Sequence, residues 1–159
     1  MIKLSTKGRY GARLMLNFAH HYNNGNEAVI LKNVSDEEEI SIRYLEQIVI
    51  PLRINKLVKS IRGAGGGYTL AKRPSDIKLS EIVYALEGTC CLVDCVDDDD
   101  YCHLIPICAT YDIWKEASRL LKDYFESITL QDLIEISNKK NAKAKAKKKA
   151  KARSKGKSH

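Results

Sequence analysis

The sequence has no run of about 18 apolar residues, so it offers no membrane-spanning helix. Its opening residues, Met1-Ile2-Lys3-Leu4-Ser5, lack the charged head and apolar stretch of an export signal, and the expected location is cytoplasmic. It has no Ser/His/Asp order of a hydrolase and no paired carboxylates in a glycine-defined pocket, so no enzymatic activity is expected. The glycine run Gly63–Gly67 lacks both the dinucleotide-binding spacing and the Lys-Ser/Thr of a phosphate loop. Asp97–Asp100 lack the alternating spacing of a calcium loop and read as solvated acids. No C-x2-C pair of a zinc ribbon occurs.

What the sequence does have is an uneven distribution of charge. The 159 residues sum to +7, but residues 1–75 carry 12 Lys/Arg against 6 Asp/Glu. Residues 76–138 carry 4 against 14, and residues 139–159 carry 11 against none. The layout is basic, acidic, basic, and the length suits one domain with an appendage. The final stretch is low-complexity Lys/Ala whose dense like charge opposes helix formation, so residues 138–159 are expected to be a disordered basic tail.

Hydrophobic spacing predicts a first helix from about Lys7 to His21, a second over Leu31–Glu38 and a third from a Ser41 cap to about Asn55. Pro51 falls inside the third and argues against a straight helix there. Two short β-favouring runs then flank the glycine turn as a hairpin. A short helix is expected over Ser80–Glu87, a longer one over Cys108–Ser127, and a last short one after the cap-like Thr129-Leu130-Gln131-Asp132. The fold class is therefore mostly α with a small β-hairpin wing (α+β): a winged helix-turn-helix followed by a long dimerisation helix.

In that arrangement the third helix enters a DNA major groove and the wing reaches a neighbouring groove. Ser41, Arg43, Glu46 and Gln47 stand near the start of the third helix, where Arg suits guanine, Gln adenine and Glu cytosine. Arg62 sits at the base of the wing, and Lys7, Arg9 and Arg53 are placed for phosphates. Residue types alone fit a solvated charged face equally well.

Three stretches narrow the choice. Leu4-Ser5-Thr6-Lys7-Gly8-Arg9-Tyr10, Tyr44-Leu45-Glu46-Gln47 and Ser60-Ile61-Arg62-Gly63-Ala64-Gly65-Gly66-Gly67-Tyr68 resemble the iron–sulfur cluster regulator (IscR) family. These are bacterial winged-helix regulators whose relatives include nitric-oxide-sensing and cysteine-metabolism repressors. The resemblance spans about 1–137. It implies a homodimer on a pseudo-palindromic double-stranded operator, readout by Glu46 and Arg62, and DNA contacts from Tyr44 and the Gly65, Gly66 and Gly67 wing tip. Arg43 stands where the best-known members have a serine, which bears on operator preference.

Cys95, Cys102 and Cys108 follow a C-x6-C-x5-C spacing across an irregular segment. Thiolates at that spacing fit an iron–sulfur cluster, a zinc ion or simply reduced cytosolic thiols. The resemblance implies that these three are cluster ligands, with a 2Fe-2S cluster favoured over 4Fe-4S. The fourth ligand is open among His103, Tyr111 and Cys91, with Cys90 or an exogenous group behind them. Cys90 and Cys91 read first as small buried apolar residues.

The resulting division is a DNA-binding domain over 1–75, a linker helix and cysteine-bearing loop over 76–107, a dimerisation helix with a short C-terminal helix over 108–137, and the tail over 138–159. The function expected is a transcription regulator sensing cluster or redox status and controlling cluster-biogenesis genes. The alternatives are a cluster-free repressor of cysteine metabolism working through a partner enzyme such as cysteine synthase, or a small iron–sulfur redox protein.

Overall fold

The structure, a computed structural model, describes residues 4–25 and 28–155. In chain order these form α1 (Thr6–Asn23), α2 (Leu31–Glu38), α3 (Ile42–Ile54), β1 (Val58–Ile61), β2 (Gly67–Leu70), α4 (Leu79–Glu87), α5 (Asp94–Asp97), α6 (Ala109–Glu126) and α7 (Leu130–Lys155). Helices with one small hairpin are the class that the sequence predicts, and the element boundaries through α4 fall within about two residues of those expected.

Caps explain where the first and third helices begin. The Ser5 hydroxyl accepts a hydrogen bond from the Gly8 amide at 3.1 Å and donates to Glu87 Oε1 at 2.6 Å, tying the start of α1 to the end of α4. Ser41 does the same for α3, accepting from the Tyr44 amide at 3.3 Å. As expected from the spacing, α3 reaches Ile54, and it runs continuously through Pro51. The carbonyl that loses its amide partner belongs to Gln47, on the exposed face, where water can replace it.

The core gathers one face from each element. Leu14, Met15 and Phe18 of α1, Leu45, Ile48 and Leu52 of α3, and Ile82 of α4 have no exposed surface. Leu70 from the hairpin and Leu130 from α7 close the same cluster. Burying a Leu, Ile, Phe or Met side chain stabilises the fold by about 1.5–3 kcal/mol, so this cluster fixes how α3 sits on α1.

The wing is pinned to the body. Its strands pair antiparallel from Val58↔Leu70 to Ile61↔Gly67, and Tyr68 also bridges to Val29 on the other side. The Val29 amide donates to the Tyr68 carbonyl and the Tyr68 amide to the Val29 carbonyl, both at 2.8 Å. The Tyr68 ring stacks on Phe18 with centroids 6.5 Å apart. A Cβ on Gly67 would collide with the Val29 carbonyl oxygen and lie 2.7 Å from its carbon, so only glycine permits this approach.

After the wing the chain adds α4 to the body, runs outward, and returns to the residues just before α4. Lys78 and Thr129 form an isolated antiparallel bridge; the Leu79 amide donates to the Ile128 carbonyl at 2.9 Å and the Leu130 amide to the Ile77 carbonyl at 2.8 Å. Thr129 caps α7, its hydroxyl accepting from the Asp132 amide at 3.2 Å and donating to the Asp132 carboxylate at 2.7 Å.

The tail requires a correction. Residues 138–159 are expected to be disordered, but α7 continues without interruption to Lys155, and residues 156–159 lie outside the described residues. Lys and Ala are both good helix formers, and no Gly or Pro intervenes before Gly156. A helix already nucleated on the buried Leu130 and Ile134 needs no fresh nucleus, so propagation outweighs like-charge repulsion. The short C-terminal helix and the tail are thus one element.

Candidate nucleic-acid interface and thiol loop

Burying Leu45, Ile48, Val49 and Leu52 turns the opposite face of α3 outward. Arg43, Glu46 and Gln47 lie on that face, exposed, with no side-chain hydrogen bond or ion pair among the described residues. Ser41 is exposed and occupied in capping. Arg53 continues the outward face toward the end of the helix. Unpaired polar groups at the start of a helix, held by a rigid core behind, have the geometry that reads base edges.

Ile50, 53% exposed, shares this face with Gln47, and sequence reasoning misses it. An apolar residue in a helix reads as core by default, but its place three and seven residues after Gln47 and Arg43 is the signal that puts it with the polar set. There it can meet a thymine methyl.

Tyr44 is half-buried, and its ring meets Tyr10 edge-on at 5.9 Å and 88°. It positions α3 on α1. Arg9 is exposed over the Tyr10 ring at 5.9 Å, and Lys7 nearby is half-buried. Arg13, by contrast, is tied to Glu38 at 2.9 Å. Arg62 follows the end of β1 and is exposed, and the tip is shaped by a Gly66 amide to Gly63 carbonyl bond of 2.9 Å. A Cβ on Gly66 would lie 2.6 Å from the Ile61 carbonyl oxygen, and Gly65 beside it has open space.

The second feature is the segment between α4 and α6. Two hydrogen bonds hold it to α6: the Leu92 amide to the buried Ser118 hydroxyl at 3.0 Å, and the Tyr111 hydroxyl to Asp99 at 3.3 Å. Thr89 also donates to Asp97 at 2.8 Å, closing α5 back on the start of the loop. Cys95 lies on α5, Cys102 in the loop beyond it, and Cys108 caps α6; all three are half-buried.

The structure keeps these thiols on one loop and does not bring them to one point. No three His, Cys, Asp or Glu side chains among the described residues are grouped to hold a metal ion. Of the fourth-ligand candidates, Tyr111 is buried with its hydroxyl bonded to Asp99, and His103 is exposed. Cys91, expected with Cys90 to be buried, is half-buried; both line a cleft of about 500 Å³ between α4, the loop and α6, bordered by Tyr84, Val96 and Lys115. Burial pushes the Cys90 thiol up, and the neighbouring Cys91 adds to this. Cys108 is shifted the other way: hydrogen bonding to the Thr110 hydroxyl, at 3.2 Å, and to the Tyr111 amide holds its thiol below the usual range.

α6 itself turns an apolar stripe outward. Ile113, Leu120 and Tyr124 are each more than half exposed and Trp114 is 41% exposed, and the Tyr124 ring lies against its neighbour Phe125 at 6.2 Å. Arg119, paired with Glu116 and Asp123 at 2.6 Å each, marks a charged strip on the same helix.

Comparison with known proteins covers most of these elements. The sequence profile of the Rrf2 family, described as an iron-dependent transcriptional regulator, matches residues 4–136. Protein rrf2 of Nitratidesulfovibrio vulgaris is 35% identical over 133 residues, which is 84% of this chain and 87% of that one. The structure is similar to that of CymR (YrzC), the global cysteine regulator of B. subtilis, with a TM-score of 0.71, 37% identity, and coverage of 86% of this chain and 98% of that one. T. potens IscR gives a TM-score of 0.69 at 35% identity, covering 85% and 88%. Since the match takes in the outward face of α3, the pinned wing and the thiol loop alike, this chain belongs to the Rrf2 family and is a DNA-binding transcriptional regulator.

Proposed function

We propose that this regulator works as a homodimer joined through α6, reads a pseudo-palindromic operator with two copies of α3, and adjusts its occupancy in response to an iron–sulfur cluster, of 2Fe-2S type, held by Cys95, Cys102 and Cys108. Its targets would be cluster-assembly genes. The observation that carries the cluster reading is the donor set itself: three half-buried thiols within 14 residues, one of them biased toward thiolate at the start of a helix. In kind these residues fit the group, although the loop must draw in to gather them. When bound, such a cluster supplies a centre sensitive to oxidation state and to oxygen.

The chain's own residues supply the coupling. Movement of the loop reaches α6 through the Leu92–Ser118 and Tyr111–Asp99 hydrogen bonds, and α6 carries the apolar stripe that pairs the protomers. A shift in that helix changes the separation of the two α3 helices, which must match half-sites about one helical turn of DNA apart. A coupling of about 1–3 kcal/mol is enough for a useful switch.

A second reading, a cluster-free repressor of cysteine metabolism acting through a partner such as cysteine synthase, is favoured by the ungathered thiols and by the likeness to CymR. Anaerobic purification with visible absorbance, iron and acid-labile sulfide separates the two. Coloured protein with matched iron and sulfide, absent from a Cys95/Cys102/Cys108→Ser variant that still folds and binds DNA, supports the cluster sensor. Colourless protein after anaerobic reconstitution overturns it and leaves the second reading.

A further inference from the structure

The Rrf2 match ends at residue 136, and α7 goes on to Lys155. Residues 139–155 hold ten Lys/Arg and no Asp or Glu. Over that length a helix rises about 25 Å, so its charge spacing is comparable to that of a DNA duplex, about one charge per 1.7 Å of axis. Lys139, Lys140, Lys143 and Lys147 are all exposed and fall within about 100° of arc on one side of α7. None of them pairs with an acidic side chain among the described residues, including the Asp97–Asp100 run.

The base of the helix is firmly attached. Leu130 is fully buried and Ile134 is 4% exposed, Asn23 donates to Gln131 at 3.3 Å, and His20 and Ser137 are hydrogen-bonded at 3.2 Å. All of these fix α7 to α1, which shares its buried face with the reading helix α3. A cationic rod rigidly joined to a DNA-reading body has one abundant partner of matching charge close at hand.

We infer that α7 beyond residue 138 is a second, sequence-independent DNA-binding element, whose lysine stripe engages the phosphate backbone of duplex DNA. The inference rests on the DNA-binding reading and adds a surface that the winged helix does not contain. Phosphate contacts carry no base information, so the element raises affinity for every duplex alike and speeds the search for a site.

The test uses the full chain and a variant with Lys139, Lys140, Lys143 and Lys147→Gln, which keeps helix propensity while removing charge. Binding to a random-sequence duplex of about 30 base pairs is followed by fluorescence anisotropy between about 50 and 200 mM salt. Every phosphate that the variant no longer neutralises flattens the log–log salt slope by about 0.9, so two such phosphates make the parent's affinity fall about twelvefold more than the variant's over that range. The matching Lys→Arg variant should keep the parent slope. Equal slopes in parent and Gln variant overturn the inference, as does an effect seen only with a single-stranded RNA of the same length. A parent chain that binds no duplex even at the lowest salt fails at the DNA-binding reading itself, a different result from equal slopes.

Discussion

Replacing Gly67 with alanine gives the sharpest test of how the wing is held. The added Cβ would collide with the Val29 carbonyl oxygen, so the strand must move away from Val29. That movement breaks the two 2.8 Å hydrogen bonds between Val29 and Tyr68 and loosens the stacking of Tyr68 on Phe18. Two backbone hydrogen bonds contribute about 1 kcal/mol each, giving a loss of about 2 kcal/mol before any ring contact is counted. For a chain of this length that corresponds to a fall in Tm of about 4–8 °C. Gly65→Ala is the matched control, since a Cβ there has open space, and its Tm should stay within about 1 °C of the parent. Thermal unfolding followed by circular dichroism reads both, and DNA binding by the Gly67 variant should weaken because Arg62 leaves with the wing. A Gly67→Ala protein that melts with the parent would refute the view that this strand is held by close backbone approach.

The other expectations concern the outward face of α3, the apolar stripe of α6 and the α7 cap. Arg43→Ala should cost about 1–3 kcal/mol at one base-pair position and relax discrimination there, whereas Arg53→Ala should weaken all sequences about equally; competition binding with single-base operator variants distinguishes them. Leu120→Glu with Tyr124→Glu puts charge on side chains already more than half exposed, so the helical circular dichroism should persist while sedimentation velocity shows a monomer. A dimer that survives both changes would move the interface off α6. The Asp132 carboxyl is held below its usual range by the Thr129 hydroxyl and amide, so its contribution is present above the unfolded-state pKa and lost as pH falls through the lowered native value. Melting from about pH 6 down to about pH 2 should therefore show an acid-side loss that is smaller in Asp132→Asn.

Much of this architecture was legible where a single physical signal dominates. Ser41 announces the start of α3, and the Ser5-Thr6 pair that of α1, because a short hydroxyl side chain ahead of an apolar periodic run can accept from the first free amides; the structure gives the α1 cap to Ser5. The glycine turn between two β-favouring runs predicts the wing, and Tyr68 then shows why the wing is not free. Competing signals misled. In the tail, helix propensity and charge repulsion oppose each other, and only the buried anchor at Leu130 and Ile134 decides between them. Ile50 is apolar but faces outward, which residue type alone cannot reveal. Spacing fixes how far Cys95, Cys102 and Cys108 can reach, not where the loop rests, and the bonds from Ser118 and Asp99 that set its resting position join residues distant in sequence.

The bridge between Lys78 and Thr129 has a consequence for how such a protein can change over time. α4 stays with the body through the buried Ile82, while the residues after Glu87 lie outside the core cluster until the chain comes back to it at Leu130. A stretch that leaves after α4 and returns at this seam can lengthen, shorten or exchange its side chains while the packing of α1, α3, α4 and the wing is kept. Engineered insertions or exchanges should be tolerated best within residues 88–127, because the hydrogen bonds of Ile77, Leu79, Ile128 and Leu130 hold the returning chain in place.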